Sequence, residues 1–244
     1  MANLKIFRAF AAALLMLVVI SSASAQNVDE IINKHVEAMG GADKLSNLKS
    51  MKIEAAMQVM GMEIPTTTTI VQQRGFRSET DIQGTKVIQA LDGTTGWSVN
   101  PMMGQSAPTP LPDEMVKAMS GQVDLTGLYD YKAKGYKAEL LGQETLEGTP
   151  VYLVKVTNTN GVAVTNYISK DTYYILRTLV KANVNGQDVE TKMTQSNFKK
   201  VDGITYPFSA QIESPAMPGA ITMVVKSVQV NPQIDESIFA MPKN

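Results

Sequence analysis

Leu91-Asp92-Gly93-Thr94-Thr95-Gly96-Trp97-Ser98-Val99-Asn100-Pro101 is the stretch from which the fold is read. Asp92-Gly93 is a strong signal for a two-residue hairpin, because both central residues of the favoured tight turn need positive φ. A strand is therefore expected to end near Ala90 and another to begin near Gly96, carrying the only tryptophan of the 244 residues. The same grammar repeats toward the carboxy terminus. Residues 137–141, 151–157, 162–169, 173–181, 189–198, 206–213 and 221–230 are strand-like. Between them stand Glu147-Gly148, Asn160-Gly161, Lys170-Asp171, Asn185-Gly186, Asp202-Gly203 and Pro218-Gly219. Consecutive hairpins of this kind predict an antiparallel meander.

Upstream, residues 50–60 alternate, with Met51, Ile53, Ala55, Met57 and Val59 on one face and Lys52, Glu54 and Gln58 on the other. Gly61 turns this strand toward the β-branched run of residues 64–71, where Pro65 belongs at the start or on an edge. Val28, Ile31, Ile32, His35, Val36 and Met39 recur at helical spacing until Gly40-Gly41, which predicts one amphipathic helix over residues 28–39. The middle of the chain differs. Pro108, Pro110 and Pro112 are expected to break any sheet, and residues 113–119 form a short helix candidate with acids in its first turn. Its expected apolar stripe is Leu111, Met115, Ala118 and Met119, and residues 124–131 are expected to add a helical turn. So short a helix needs an apolar platform, so these pieces are expected to cover the open side of a curved sheet. No repeat, heptad or low-complexity tract divides the chain.

Lys5 and Arg8 precede an uninterrupted apolar run over residues 9–20, and Ala23-Ser24-Ala25 supplies a small-x-small cleavage pattern. Residues 1–25 are thus expected to be a cleaved signal peptide, leaving 26–244 as a single domain that is soluble in the periplasm. The sequence contains no cysteine, which excludes disulfides and lipidation at the cleavage point. Removing Lys5 and Arg8 from 22 basic residues set against 23 acidic ones leaves a net charge of −3. That balance offers no footprint for nucleic acid. Fifteen methionines, only Met1 and Met16 of them in the leader, suit adaptable apolar surfaces.

The pattern Asp-Gly-x-Thr-x-Trp with the following Asn100-Pro101 resembles the same hairpin in the periplasmic lipoprotein carriers, the LolA and LolB superfamily of half-open β-barrels. Residues 37–45, the turn Leu146-Glu147-Gly148 and the ending Ile234-Asp235-Glu236-Ser237-Ile238-Phe239-Ala240-Met241-Pro242 resemble its longer lipoprotein-sorting subgroup. The resemblance implies a mainly β, α+β fold, in which a curved antiparallel sheet forms a half-open barrel with an amino-terminal helix and short lid helices. It further implies non-enzymatic binding or transport of lipid or lipoprotein acyl chains in an apolar groove. The alternative is an envelope-stress sensor or protein-interaction module on the same fold. Family carriers use an arginine before the Asp-Gly hairpin to bond the lid backbone and hold the empty carrier shut, which makes Arg74 and Arg77 the latch candidates.

The acyl-groove candidates are Met51, Ile53, Met57, Trp97, Met115 and Met119. Catalysis finds no support: there is one histidine, His35, on a packed helix stripe, and no Gly-x-Ser-x-Gly, phosphate loop or dinucleotide fingerprint. Asp124 and Asp130 are too ordinary to mark an acid/base pair. No metal and no cofactor are expected. A monomer is expected, with acyl chains or lipid as ligand and envelope membrane proteins as further candidate partners.

Overall fold

The computed structural model describes residues 27–59, 61–184, 187–215 and 219–243. The expected signal peptide, its cleavage point, Met60, Asn185-Gly186 and Pro218 lie outside the described residues.

The strands make one sheet. β1 (Ser50–Val59), β2 (Met62–Val71), β3 (Gly75–Ile82), β4 (Thr85–Asp92), β5 (Thr95–Asn100) and β6 (Gln105–Pro110) form the first meander. The second comprises β7 (Lys137–Leu146), β8 (Thr149–Thr157), β9 (Ala163–Ser169), β10 (Ile175–Val184), β11 (Gln187–Val201), β12 (Ile204–Glu213) and β13 (Ile221–Val230). Pairing of β1 with β13 joins them into a 13-stranded antiparallel sheet that does not close, running from β6 at one edge through β1 and β13 to β7 at the other. This contains the antiparallel meander that the hairpin grammar predicts and is the curved half-open barrel that the resemblance implies.

The turns follow local chemistry with one adjustment. Asp92 pairs with Thr95, so Gly93 and Thr94 are the central residues, and only Gly93 takes positive φ, at 61°. Glycine first in the turn meets that need without a Cβ penalty. The prolines also behave differently from expectation. Pro108 and Pro110 lie within β6, where an edge strand tolerates a missing N–H donor.

α1 (Val28–Met39) starts at Asn27, whose side chain accepts the Asp29 N–H at 3.2 Å, and stops at Gly40 with φ 140°. A Cβ at Gly40 would sit 2.8 Å from the Gly203 carbonyl, so the helix end docks on the β11–β12 turn only because no side chain intervenes. Its stripe buries Ile31, Ile32, His35 and Val36 against Tyr152, Val154, Val156, Ile168 and Ile204 of the second meander. Full burial of each isoleucine contributes about 1.5–3 kcal/mol. α2 (Ala42–Ser46) follows and buries Leu45 in the same cluster.

α3 (Asp113–Met119) packs at the other end, on Phe76 and Leu91 of β3 and β4. Its buried face is Val116 and Met119, with Leu111 and Val123 beside them, whereas Met115 is 45% exposed and Ala118 is exposed. Residues 124–131 are a chain of turns and not the expected helical turn. Between the two helical ends a middle cluster of Leu48, Met51, Ile53, Ala55, Phe208 and Val225 lies on β1, β12 and β13 and the approach to β1.

The sheet near β3 is covered on both faces. Phe76 faces α3, so its neighbours Gly75 and Arg77 point to the opposite face. There the carboxy-terminal segment forms a strap: Phe239 is fully buried, and a Cβ at Gly75 would lie 2.5 Å from its ring. Asp235 starts the 3₁₀ turn Glu236–Phe239 by accepting the Ser237 N–H at 3.0 Å.

Candidate functional site

A cavity of about 530 Å³ opens between α1, the sheet and the turns of residues 121–129. That is within the range of about 300–1,000 Å³ typical of small-molecule sites. Met51, Ile53, Ile70 and Phe76 supply one wall, and Val36 and Met39 of α1 another. Met193 and Met223 contribute from β11 and β13. Residues 121, 122 and 124–129 form the roof, with Leu125 and Leu128 turned into apolar clusters. Among the described residues no lysine or arginine lines the cavity, and Asp124 is the only acidic one that does.

Met51 and Ile53 of the groove candidates reach this cavity. Met57 lies further along the same strand face, half-buried opposite Met223, but is not part of the wall. Trp97 is elsewhere. It pairs with Ala90, which pairs with Arg77, so it shares the strap-side row and is 2% exposed. Its indole N–H donates to the Phe239 carbonyl at 2.7 Å, and the Arg77 guanidinium lies over its ring at 5.3 Å. Met119 is buried beneath α3 in the Phe76 cluster and Met115 points to solvent; neither lines the cavity.

The arginines likewise hold the strap and not the lid. Arg77 donates from Nη1 to the Ile238 carbonyl at 2.9 Å and from Nε to Glu79 at 2.8 Å. Arg74 pairs with Asp92 and, at 3.1 Å, with Glu236. Arg77 goes to the strap because its row faces away from the cavity, and Arg74, in the β2–β3 turn, finds its acids at the same end of the sheet.

The roof is anchored by a network that sequence reasoning did not find. Asp124, its side chain 6% exposed, accepts from Lys134 Nζ at 2.7 Å and 2.9 Å. It also accepts from the Thr126 N–H at 3.1 Å, from the Thr126 hydroxyl at 2.8 Å and from Gln72 Nε2 at 3.2 Å. Gln72 in turn accepts the Leu125 N–H at 2.6 Å, and the Gln73 N–H donates to the Val123 carbonyl at 2.8 Å. The β2–β3 turn thereby grips the roof through main chain and side chain together. Burial pushes the Asp124 carboxyl upward, but the Lys134 ammonium and the Gln72 and Thr126 donors outweigh it, and its pKa lies below the ordinary 3.8. Asp-x-Thr over Asp124-Leu125-Thr126 carries a local turn signal. Lys134 and Gln72 carry none.

A second tie joins the roof to α1. The Tyr131 hydroxyl donates to Asp29, and Lys132 donates to the same carboxylate at 2.6 Å. Lys132 first and Tyr131 second hold Asp29 below the usual carboxylate range, while burial and then Asp29 push Tyr131 up to about 12. His35 also lines the cavity. Burial lowers its pKa although its Nδ1 sits 2.8 Å from the Tyr173 carbonyl, so the ring is neutral and donates from Nδ1. Among the described residues no group of three or more His, Cys, Asp or Glu is placed to hold a metal ion, and no described helix is long and apolar enough to cross a membrane.

Solved structures share this architecture. A LolA superfamily protein from Nitrosomonas europaea aligns with a TM-score of 0.60 at 14% identity, covering 87% of this chain and 97% of its own. A DUF1329 family protein from Desulfovibrio piger gives 0.55 at 17% identity, and a Vibrio parahaemolyticus domain named for outer membrane lipoprotein sorting gives 0.56 at 12%. Both cover 87% of this chain and 97% of their own. No curated protein matches the chain. A family model described as "-like: Uncharacterized protein" matches residues 74–243, well over half of the sequence. The chain belongs to that family, and its fold is that of the LolA superfamily.

Proposed function

We propose that this protein is a periplasmic, non-enzymatic binder of acyl chains, carried on a lipid or a lipoprotein, in the cavity between α1, the sheet and the turns of residues 121–129. The observation that carries the reading is the cavity itself: about 530 Å³, walled largely by apolar side chains and roofed by a turn-rich segment held by polar anchors. Acyl surface moved from water into such a space gains about 25 cal/mol per Å² before the costs of binding. Met51, Ile53, Met193 and Met223 are the proposed acyl contacts, three of them flexible methionines that can adapt to a chain of variable course. The roof is the proposed lid, because its turns carry few ladder hydrogen bonds of their own and depend on Gln72, Lys134 and Asp29. The lipoprotein-sorting name of the Vibrio domain supports the ligand class by shared fold.

The test is native mass spectrometry and organic extraction of protein purified from the periplasm without detergent. A bound acyl lipid that is lost on replacing Met223 and Ile53 by Asp, with the fold retained by circular dichroism, is the expected result. Protein that carries no lipid and binds no acyl probe added in vitro would overturn the proposal.

A further inference from the structure

One feature of the cavity is out of keeping with a purely apolar groove. Among the uncharged polar side chains that line it, His35, Asn166, Gln195 and Tyr206 stand on α1, β9, β11 and β12. Asn166 is 4% exposed, and only its Nδ2 is engaged, donating to the Val154 carbonyl at 3.2 Å; its Oδ1 has no partner among the described residues. The Gln195 amide and the Tyr206 hydroxyl have no hydrogen-bond partner there either. His35 spends Nδ1 on Tyr173, which leaves Nε2 of the neutral ring as an acceptor. These atoms face the open cavity, where a bound molecule can bond to them; the one fully buried side-chain atom without a partner among the described residues, Asn100 Oδ1, lies elsewhere, on β5.

Charge narrows what that molecule is. Among the described residues no cationic side chain lines the cavity; Lys134 is committed to Asp124, and Lys199, opposite Tyr206 on the neighbouring strand, lies over the Phe208 ring. A carboxylate or phosphate held here would find no cation in the cavity wall, and the Asp124 carboxylate in the roof offers it no attraction. An uncharged head with both donors and acceptors would instead meet the Tyr206 hydroxyl, the two amides and the imidazole. Tyr206 stays a donor throughout the physiological range, since burial pushes its phenol up to about 12.

Resting on the acyl-binding reading above, we infer that His35, Asn166, Gln195 and Tyr206 form a head-group subsite selecting uncharged, hydroxyl- or ester-bearing amphiphiles of the acylglycerol class over fatty acids and phospholipids. Acyl chains occupy the methionine-lined part of the cavity, and the ester carbonyl and hydroxyl take up the idle donors and acceptors.

The experiment is competition against N-phenylnaphthylamine, an uncharged apolar dye, bound to the purified protein at about pH 8, where a fatty acid is ionised. Monoolein, methyl oleate and oleate share one chain and differ in the head. Monoolein is expected to displace the dye at a concentration about tenfold below oleate, with methyl oleate between them, one net hydrogen bond being worth about a factor of ten. In the Gln195→Leu/Tyr206→Phe variant the dye still binds, and the monoolein preference shrinks to about twofold or less. Oleate competing as well as monoolein, or a preference undiminished in the variant, overturns the inference while leaving acyl binding intact. Failure of dye and all three competitors to bind the wild-type protein overturns the acyl-binding reading, and the subsite with it.

Discussion

Replacing Asp124 by Asn removes one charge from the lid anchor and keeps its shape. Asp124 and Lys134 are 6% and 15% exposed, so the pair is poorly screened. At 2.7 Å its attraction is about 6 kcal/mol for an effective dielectric near 20. Desolvation of the two ions offsets much of that, but deleting one partner of a buried pair costs about 3–5 kcal/mol because the other charge stays buried. Asparagine can keep the bonds to Thr126 and Gln72, which places the loss near the lower end, about 3 kcal/mol. That is about two powers of ten in the lid-opening equilibrium. Hydrogen exchange reads it directly, since the Leu125 and Thr126 amides donate to Gln72 and Asp124. Both amides are expected to exchange about a hundredfold faster in Asp124→Asn while the β1–β2 ladder amides near Ile53 and Thr68 keep their rates. A change below about threefold at Leu125 and Thr126, or equal acceleration across the ladder, would refute the assignment of Asp124 as a local anchor. The pH dependence has a definite sign. Because the folded carboxyl titrates below its ordinary 3.8, its contribution is complete above that value and is lost as pH falls through the lowered folded one. Acid should therefore lower the lid protection factors of the wild type, with the intrinsic slowing of amide exchange divided out, and the Asn variant should show less of this response.

Three further outcomes concern the strap. Gly75→Ala forces a Cβ to 2.5 Å from the Phe239 ring, an overpacking expected to cost about 1–3 kcal/mol and to lower Tm by several degrees in thermal unfolding. Trp97→Phe leaves the Phe239 carbonyl without its indole donor, and about 1–3 kcal/mol of stability is expected to go in a denaturant titration with lipid retention unchanged. Loss of lipid without loss of stability would return Trp97 to the groove. Arg77→Leu, at a side chain only 16% exposed, should raise exchange in residues 236–240 and not in residues 121–129, while Arg74→Leu, 44% exposed, should leave both near wild type.

Turn chemistry made most of the sheet legible. The hairpin signals Asp92-Gly93, Glu147-Gly148, Asn160-Gly161, Lys170-Asp171 and Asp202-Gly203 each separate two strands of the observed sheet, and the 28–39 helix is readable from its apolar period and its Gly40-Gly41 stop. Facing was not legible around β3 to β5. Alternation distinguishes inside from outside only where one face meets water, and here α3 covers Phe76 and Leu91 while the strap covers Gly75 and Trp97. Trp97 and Arg77 therefore looked as suitable for the groove and its latch as for the opposite face. The lid anchor was hidden for another reason: Gln72 meets Asp124 across 52 residues, and no local spacing encodes such a contact. Pro108 and Pro110 misled because edge position, which excuses a proline, is a property of the finished sheet.

The anchor and the cavity set opposing demands on a ligand, and their magnitudes can be compared. A roof held only by Leu125 and Leu128 would yield to any apolar intruder, since it would exchange one apolar contact for another. The Asp124–Lys134–Gln72 network adds a polar cost to opening that an acyl chain cannot replace in kind. If that cost is the roughly 3 kcal/mol argued for Asp124→Asn, it is offset by about 120 Å² of buried apolar surface, or about four methylenes. Chains must exceed that length before their burial begins to favour the open, loaded form, so the anchor acts as a length threshold. Opening costs the same whatever the chain, so weakening the anchor should tighten every chain by one common factor. Measured against the same dye, octanoyl and oleoyl monoglycerides should both bind more tightly in Asp124→Asn than in the wild type with their ratio unchanged, and a gain for one chain length alone would place the threshold in the cavity wall instead of the lid.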